Sequence, residues 1–161
     1  MSLSSKCALT VLVSSLFISP ILAQIPNPYG TAIDNDSARK VAAAAAAEAR
    51  KNSWKMAIAI VDPAGELVYF EKLDGTQQAS VNIAIDKARS SARFKRPTKA
   101  LADVLATGGA GLRMLALDGA VPVEGGVPIV MDGKLVGAIG VSGGTGEQDG
   151  QIAIGAAAAV K

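Results

Sequence analysis

Three ionisable side chains in this sequence are candidates for acid–base chemistry: Lys87, Glu124 and Asp149. The chain contains no histidine, so a general acid or base would have to be Asp, Glu, Lys or Tyr. If these three side chains converge in the fold, they form an acid–base cluster that works without histidine. The order of residues along the chain leaves that convergence open.

Glu124 is followed by two glycines, Gly125 and Gly126, at a predicted strand end. Paired glycines let a ligand approach the backbone closely, and such a ligand would also meet the Glu124 carboxylate. A β-bulge followed by a solvent-facing glutamate explains the same residues equally well. Both interpretations stay open, and all three residues are candidate ligand contacts.

A glycine-rich turn that contains Gly143 and Gly144 precedes a predicted helix in the segment SGGTGEQDG. Backbone N–H groups at such a helix start can hold an anion. The segment is neither G-x-G-x-x-G nor a P-loop, and Glu147 and Asp149 would repel a phosphate there. The pattern therefore favours a tight turn and a capped helix, with Asp149 available to turn toward a cleft.

Basic residues are concentrated between positions 87 and 99, where a helix is predicted to end and another to begin. Arginine forks match carboxylates, so this run could bind an anionic ligand. A solvated helix face with its exit loop is the favoured alternative. Within the run, Arg96 and Thr98 flank Pro97 and are the preferred candidates, because proline fixes the loop and Thr98 stands at a helix start.

The first 23 residues have the pattern of a secretory signal peptide, with Lys6 ahead of an interrupted apolar run. That run is too short and too broken to predict a stable membrane span. We expect residues 24–33 to form an extended arm and residues 34–161 to form one domain, secreted or periplasmic. Cleavage would remove Cys7, the one cysteine, and leave no thiolate, disulfide or Cys/His metal site. We predict no metal site, and the charge of +2 gives no reason to expect nucleic acid.

Periodicity and turn residues predict an α+β domain with an antiparallel sheet. Asp132-Gly133 is a strong hairpin signal, and six alanines from Ala42 to Ala47 favour a helix. The segment 112–117 is ambiguous. The predicted helices are 37–51, 79–93, 98–105 and 148–160, and the predicted strands are 56–61, 66–72, 121–124, 127–131 and 134–141.

Three segments in series, 57–75, 80–98 and 123–153, resemble the GlcG/HbpS-like family of small haem-associated proteins, which also appears as the C-terminal domain of PduO-type corrinoid proteins. The resemblance implies a profilin-like fold, in which helices cover both faces of a five-stranded antiparallel sheet as α/β/α layers. It also implies a homo-oligomer, and haem or another small ligand as the bound group. Histidine has been proposed as an iron ligand in parts of this family, whereas this chain has none.

The leading hypothesis is an exported protein that binds haem or a related tetrapyrrole. An acid–base enzyme for a small oxygenated metabolite, with Lys87, Glu124 and Asp149 as catalytic groups, is the alternative, and a purely structural oligomer is a third. If haem is the ligand, its iron would need Lys, Tyr, Met or a hydroxyl as its ligand, or it would bind without a protein ligand. The candidate ligand-binding residues are Lys87, Arg96, Thr98, Glu124, Gly125, Gly126, Gly143, Gly144 and Asp149.

Overall fold

The computed structural model describes residues 27–160, so the predicted signal peptide and the first residues of the predicted arm lie outside the described part of the chain. Helices and strands follow in the order α-β-β-α-α-3₁₀-β-β-α. The helices are α1 (Asn35–Lys51), α2 (Ala79–Phe94), α3 (Thr98–Ala106), a 3₁₀ helix (Gly109–Ala116) and α4 (Gly146–Ala157). The strands are β1 (Ala57–Val61), β2 (Leu67–Lys72), β3 (Gly126–Met131) and β4 (Lys134–Ser142).

The strands form one antiparallel sheet in the order β2-β1-β4-β3. The two central strands are short apolar runs: every residue of β1 is buried, and so is every residue of β4 after Lys134. Strands of this kind are typical of a sheet with cover on both sides. Pro128 lies in β3, an edge strand, where a missing N–H costs no ladder hydrogen bond.

The two faces of the sheet carry side chains of different size, because successive residues of a strand point to opposite sides. Ile58, Ile60 and Ile139 pack in the main core with the alanine-rich α1 and with α4. Ala59 and Ala138 lie on the other face and pack against alanines of α2. The predicted α+β domain, with helices on both faces of an antiparallel sheet, is therefore confirmed.

The small side chains allow α2 to lie very close to the sheet. A Cβ atom added to Gly140 of β4 would collide with the carbonyl oxygen of Ala84 and would lie 2.6 Å from the backbone nitrogen of Ala88. Backbone atoms cannot yield as a flexible side chain can, so this position requires glycine. This close approach determines which residues of α2 reach the end of β4.

The prediction of a strand at 121–124 is wrong, and the expectation of five strands is not confirmed, because the described sheet has four. Pro122 has no N–H to donate to a ladder. The Val123 N–H bonds instead to the carbonyl of Val121 at 2.8 Å, and the Val121 N–H bonds to the Ser90 hydroxyl at 3.0 Å. The segment therefore forms a turn beside α2.

The chain before α1 runs along β4 at the point where β1 has ended. The Gly30 N–H donates to the carbonyl of Leu135, and the Leu135 N–H donates to the carbonyl of Pro28, both at 2.8 Å. The Tyr29 hydroxyl lies 3.2 Å from the carbonyl oxygens of Ala92 and Arg93 at the end of α2. The arm thus replaces β1 as a partner of β4 and satisfies carbonyls that the helix end leaves free.

No helix of the described residues is long and apolar enough to span a bilayer.

We expect Gly140→Ala to destabilise the protein by about 1–3 kcal/mol or more, because α2 must move away from the sheet. Gly155→Ala is the matched control: Gly155 is exposed within α4, and an added Cβ meets nothing within 4 Å. The control should stabilise the helix by roughly 0.5–1 kcal/mol. Urea unfolding of both variants measures the difference, and a Gly140→Ala midpoint at or above that of the wild type would contradict the close packing.

Candidate functional site

The predicted residue Lys87 lies inside the molecule, between α2 and the end of β4. Its side chain is 1% exposed, and its ammonium group donates to the Asp149 carboxylate at 2.7 Å and to the carbonyl of Val141 at 3.1 Å. Asp149 is 2% exposed. The structure therefore brings together two of the three acid–base candidates as a buried ion pair.

The Asp149 carboxylate has a second partner in the glycine-rich turn. Its Oδ1 atom accepts a hydrogen bond from the Gly144 N–H at 3.0 Å, while Oδ2 accepts from Lys87. Thr145 and Gln148 form the capping box that begins α4, as the pattern favoured. The N–H group of Gly144 in this turn therefore binds the protein's own Asp149 carboxylate.

Gly125 and Gly126 lie directly against this ion pair. A Cβ atom at Gly125 would lie 2.9 Å from the Lys87 ammonium nitrogen and 2.8 Å from the Asp149 Cβ, and one at Gly126 would collide with the carbonyl oxygen of Lys87. Gly125 also has a positive φ of 123°, a conformation in which glycine is favoured. The glycine pair thus gives room to the protein's own lysine and aspartate.

Thr98 joins the same group from the start of α3. It is fully buried, and its hydroxyl accepts a hydrogen bond from the Gly126 N–H at 2.9 Å. The first residue of β3 is thereby fixed to the start of α3. Lys87, Thr98, Gly125, Gly126 and Asp149 are called the buried cluster below.

Glu124 lies at the margin of the buried cluster. It is half-buried, and its side chain covers the start of α4, where a Cβ at Gly150 would meet its Cγ at 2.8 Å. No hydrogen bond among the described residues joins it to Lys87 or Asp149.

The charge of Glu124 also acts on Lys99, which lies on the nearby surface. The hydrogen bond to Asp103 raises the pKa of Lys99, and the charges of Glu124 and Glu147 raise it further.

Arg96 and Gly143, which were also predicted as site residues, lie apart from the cluster. Arg96 is exposed, and within residues 27–160 its side chain donates to the carbonyl of Phe94 alone, at 3.0 Å. Gly143 packs against the segment before β1, because a Cβ there would collide with the carbonyl oxygen of Lys55. Gly144 lies at the end of the same turn, where an added Cβ would lie 2.9 Å from the Met56 Cε atom.

Sequence reasoning missed the exposed apolar side chains that follow α3. Leu112, Leu115, Leu117 and Val123 are between 41% and 68% exposed, and three of them fall in the segment that the periodicity left ambiguous. The sequence did contain a signal for this exposure, because the three leucines lie between glycines and have few apolar residues nearby in the sequence to pack against.

Three clefts of about 390, 330 and 330 Å³ open elsewhere in the molecule. They lie beside the arm, at the C-terminal end of α1, and between α1 and α4.

The sequence and the fold of this chain have known counterparts. A family model described as haem-degrading protein HbpS-like matches residues 33–158. The chain belongs to the HbpS-like family. The family resemblance inferred from the three sequence segments is thus confirmed.

Relatives and solved structures of this family align with most of the chain. Protein GlcG of Escherichia coli K12 is 37% identical over 110 residues, which cover 68% of this chain and 81% of GlcG. The crystal structure of HbpS superposes with a TM-score of 0.75 at 30% identity, covering 82% of this chain and 92% of HbpS. A crystal structure of PduOC in complex with haem superposes with a TM-score of 0.74 at 30% identity, covering 81% and 96%.

Within this HbpS-like chain, the buried cluster holds its members in mutual contact. Both carboxylate oxygens of Asp149 and the Lys87 ammonium have protein partners. An acid–base role for the pair would require it to open toward a ligand. As it stands, the cluster connects α2, α3, α4 and the ends of β3 and β4.

No group of three or more Asp, Glu, His or Cys side chains suited to a metal occurs in the described range 27–160.

We expect Lys87→Met to destabilise the protein by about 3–5 kcal/mol, because it leaves the Asp149 carboxylate buried without its counter-charge. The double variant Lys87→Met/Asp149→Leu should recover a large part of this loss, since no buried charge remains. Lys99→Met is the control and should change little, because the Lys99–Asp103 pair is exposed. Equal urea midpoints for Lys87→Met and Lys99→Met would contradict a buried ion pair.

We expect Thr98→Val to cost about 1–3 kcal/mol, because the buried Gly126 N–H loses its acceptor. Thr98→Ser keeps the hydroxyl and should restore the hydrogen bond. Amide hydrogen exchange at Gly126 gives a local measurement alongside urea unfolding. Exchange at Gly126 that is equally slow in Thr98→Val and in Thr98→Ser would show that this hydrogen bond does not hold β3.

Proposed function

We propose that this protein binds haem or a related tetrapyrrole outside the cytoplasm. The observation that carries the proposal is the likeness to PduOC, which has been crystallised in complex with haem and aligns over 96% of its length. The match to the haem-degrading HbpS-like family model and to HbpS itself supports the same class of ligand.

The residues present fit a tetrapyrrole better through contact and charge than through iron ligation. The chain has no histidine, and its one cysteine is Cys7. The Thr98 hydroxyl is buried and bonded to the Gly126 N–H, and the Tyr29 hydroxyl is engaged at the end of α2. Apolar surface and surface arginines are therefore the parts of this chain suited to a porphyrin plane and its propionates.

Export and self-association form part of the proposal. The signal pattern of residues 1–23 supports secretion or a periplasmic location. Self-association is part of the proposal because the sequence segments 57–75, 80–98 and 123–153 resemble a family for which a homo-oligomer is expected.

The alternative, an acid–base enzyme without histidine, has one observation in its favour. Lys87 and Asp149 form a buried pair beside two glycines, and perturbed or buried ionisable pairs are frequent at catalytic sites. For this activity the ion pair would have to open toward a substrate. The Glu124 side chain would also have to move away from the surface of α4 to reach the pair. Haem binding requires neither movement, so we favour it.

A haemin titration of residues 24–161, followed by the Soret band, tests the proposed function. We expect a saturable shift with fixed stoichiometry. Arg96→Ala should raise the Kd by roughly threefold to tenfold if its guanidinium pairs with a propionate, and Thr98→Ala tests the loop that the buried cluster holds. A shift that never saturates would refute specific haem binding, and a screen of small metabolites with Glu124 and Asp149 variants would then test the enzyme.

A further inference from the structure

An exposed apolar surface follows α3 and is made by Leu112, Leu115, Leu117 and Val123, here called the apolar ridge. Their side chains are 54%, 68%, 41% and 48% exposed. Large apolar side chains that are exposed together in one short segment often mark a binding surface. The ridge shares no residue with the buried cluster.

The geometry of the 3₁₀ helix aligns the first two leucines. Residues three apart eclipse one another in a 3₁₀ helix, so Leu112 and Leu115 share one side. Gly111 and Met114 share another side, and they are buried and half-buried respectively. Because the inner side is occupied by α3, the leucine side is left to face outward.

The ridge is held firmly rather than carried on a loose loop. A Cβ at Gly111 would collide with the carbonyl oxygen of Val104, so the 3₁₀ helix packs directly on the backbone of α3. The Leu117 carbonyl accepts a hydrogen bond from the Ala120 N–H at 3.1 Å, and the Ser90 hydroxyl anchors Val121 to α2. The exposed leucines are thus presented by fixed backbone.

Two arginines lie beside the ridge. Arg113 is exposed and occupies the third side of the same 3₁₀ helix. The Arg93 Nη1 atom lies 4.0 Å from the position of a Cβ at Gly119, just after Leu117. Arg93 uses its Nε–H to bond the carbonyl of Ala64 at 2.9 Å. Neither guanidinium forms a salt bridge with a carboxylate of residues 27–160, and Asp118 is the one acidic residue of the segment 109–123.

We propose that the apolar ridge binds one face of a porphyrin, with Arg93 and Arg113 pairing with its carboxylates. The inference builds on the proposed haem-binding function and names the surface that carries it out. A flat apolar ring with carboxylates at its margin matches leucines bordered by arginine forks. Recognition then comes from the ring and the carboxylates, so the iron atom is dispensable.

Binding of haemin and of iron-free protoporphyrin IX to the purified protein tests the proposal, with Leu115→Asp as the main variant. An exposed carboxylate at position 115 would be buried against the ring, so the Kd for both ligands should rise by about tenfold or more. Arg113→Gln should raise both values by roughly threefold to tenfold. Ile83→Asp is the matched control, since Ile83 is 36% exposed on α2 and has no part in the ridge, and it should leave both values unchanged.

The outcomes separate this inference from the proposed function. If the wild type binds neither ligand, both fail. If the wild type binds haemin and Leu115→Asp binds it equally well, the function stands and the ridge is refuted. Strong haemin binding without protoporphyrin binding would also refute it, because iron ligation would then dominate. Size-exclusion chromatography is run in parallel, and a change of subunit number in Leu115→Asp with unchanged Kd values would assign the ridge to self-association instead.

Discussion

The ion pair between Lys87 and Asp149 joins α2 to α4 across the end of β4. A buried charge is costly unless its counter-charge and hydrogen-bond partners are complete, so everything around this pair must fit it. The turn before α4 supplies the Gly144 N–H, and β4 supplies the carbonyl of Val141. Gly125 and Gly126 are the residues that can pass beside the pair without a clash. The glycines that suggest a ligand cradle in the sequence are explained here by the protein's own side chains.

How much could be predicted from the sequence differs between local and tertiary features. The α-helices, the hairpin at Asp132-Gly133 and the capped start of α4 were predictable, because alanine content, apolar spacing and turn residues act over short distances. Segment 121–124 looked like a strand by composition, whereas Pro122 and the contact of Val121 with Ser90 make it a turn. The 3₁₀ helix was not predictable because eight residues with two glycines at 109 and 111 carry no helical period.

The convergence of Lys87, Thr98 and Asp149 depends on how closely α2 packs, and that distance is decided by alanines and Gly140 far along the chain. The sequence predicted these three residues as candidate site residues, but it did not predict that they are buried or that Lys87 bonds to Asp149. Arg96, a neighbour of Thr98 in sequence, faces solvent, so proximity along the chain did not indicate proximity in space. In this HbpS-like protein the α2 side of the sheet is occupied by small side chains and the ion pair. The ligand contact that we propose therefore lies outside this interior, on the exposed side chains after α3.

The sheet order has a further consequence for how the chain folds. β4 is the last strand in the sequence, yet it lies inside the sheet between β1 and β3, and the arm that pairs with it begins more than a hundred residues earlier. Until residues 134–142 have been synthesised, the hairpin of β1 and β2 is the one strand pair of the sheet that can form. Non-local pairing of this kind slows folding, and β1 meanwhile exposes an apolar edge that other chains can pair with. An unfinished chain is therefore most open to aggregation at β1, which the completed fold hides entirely.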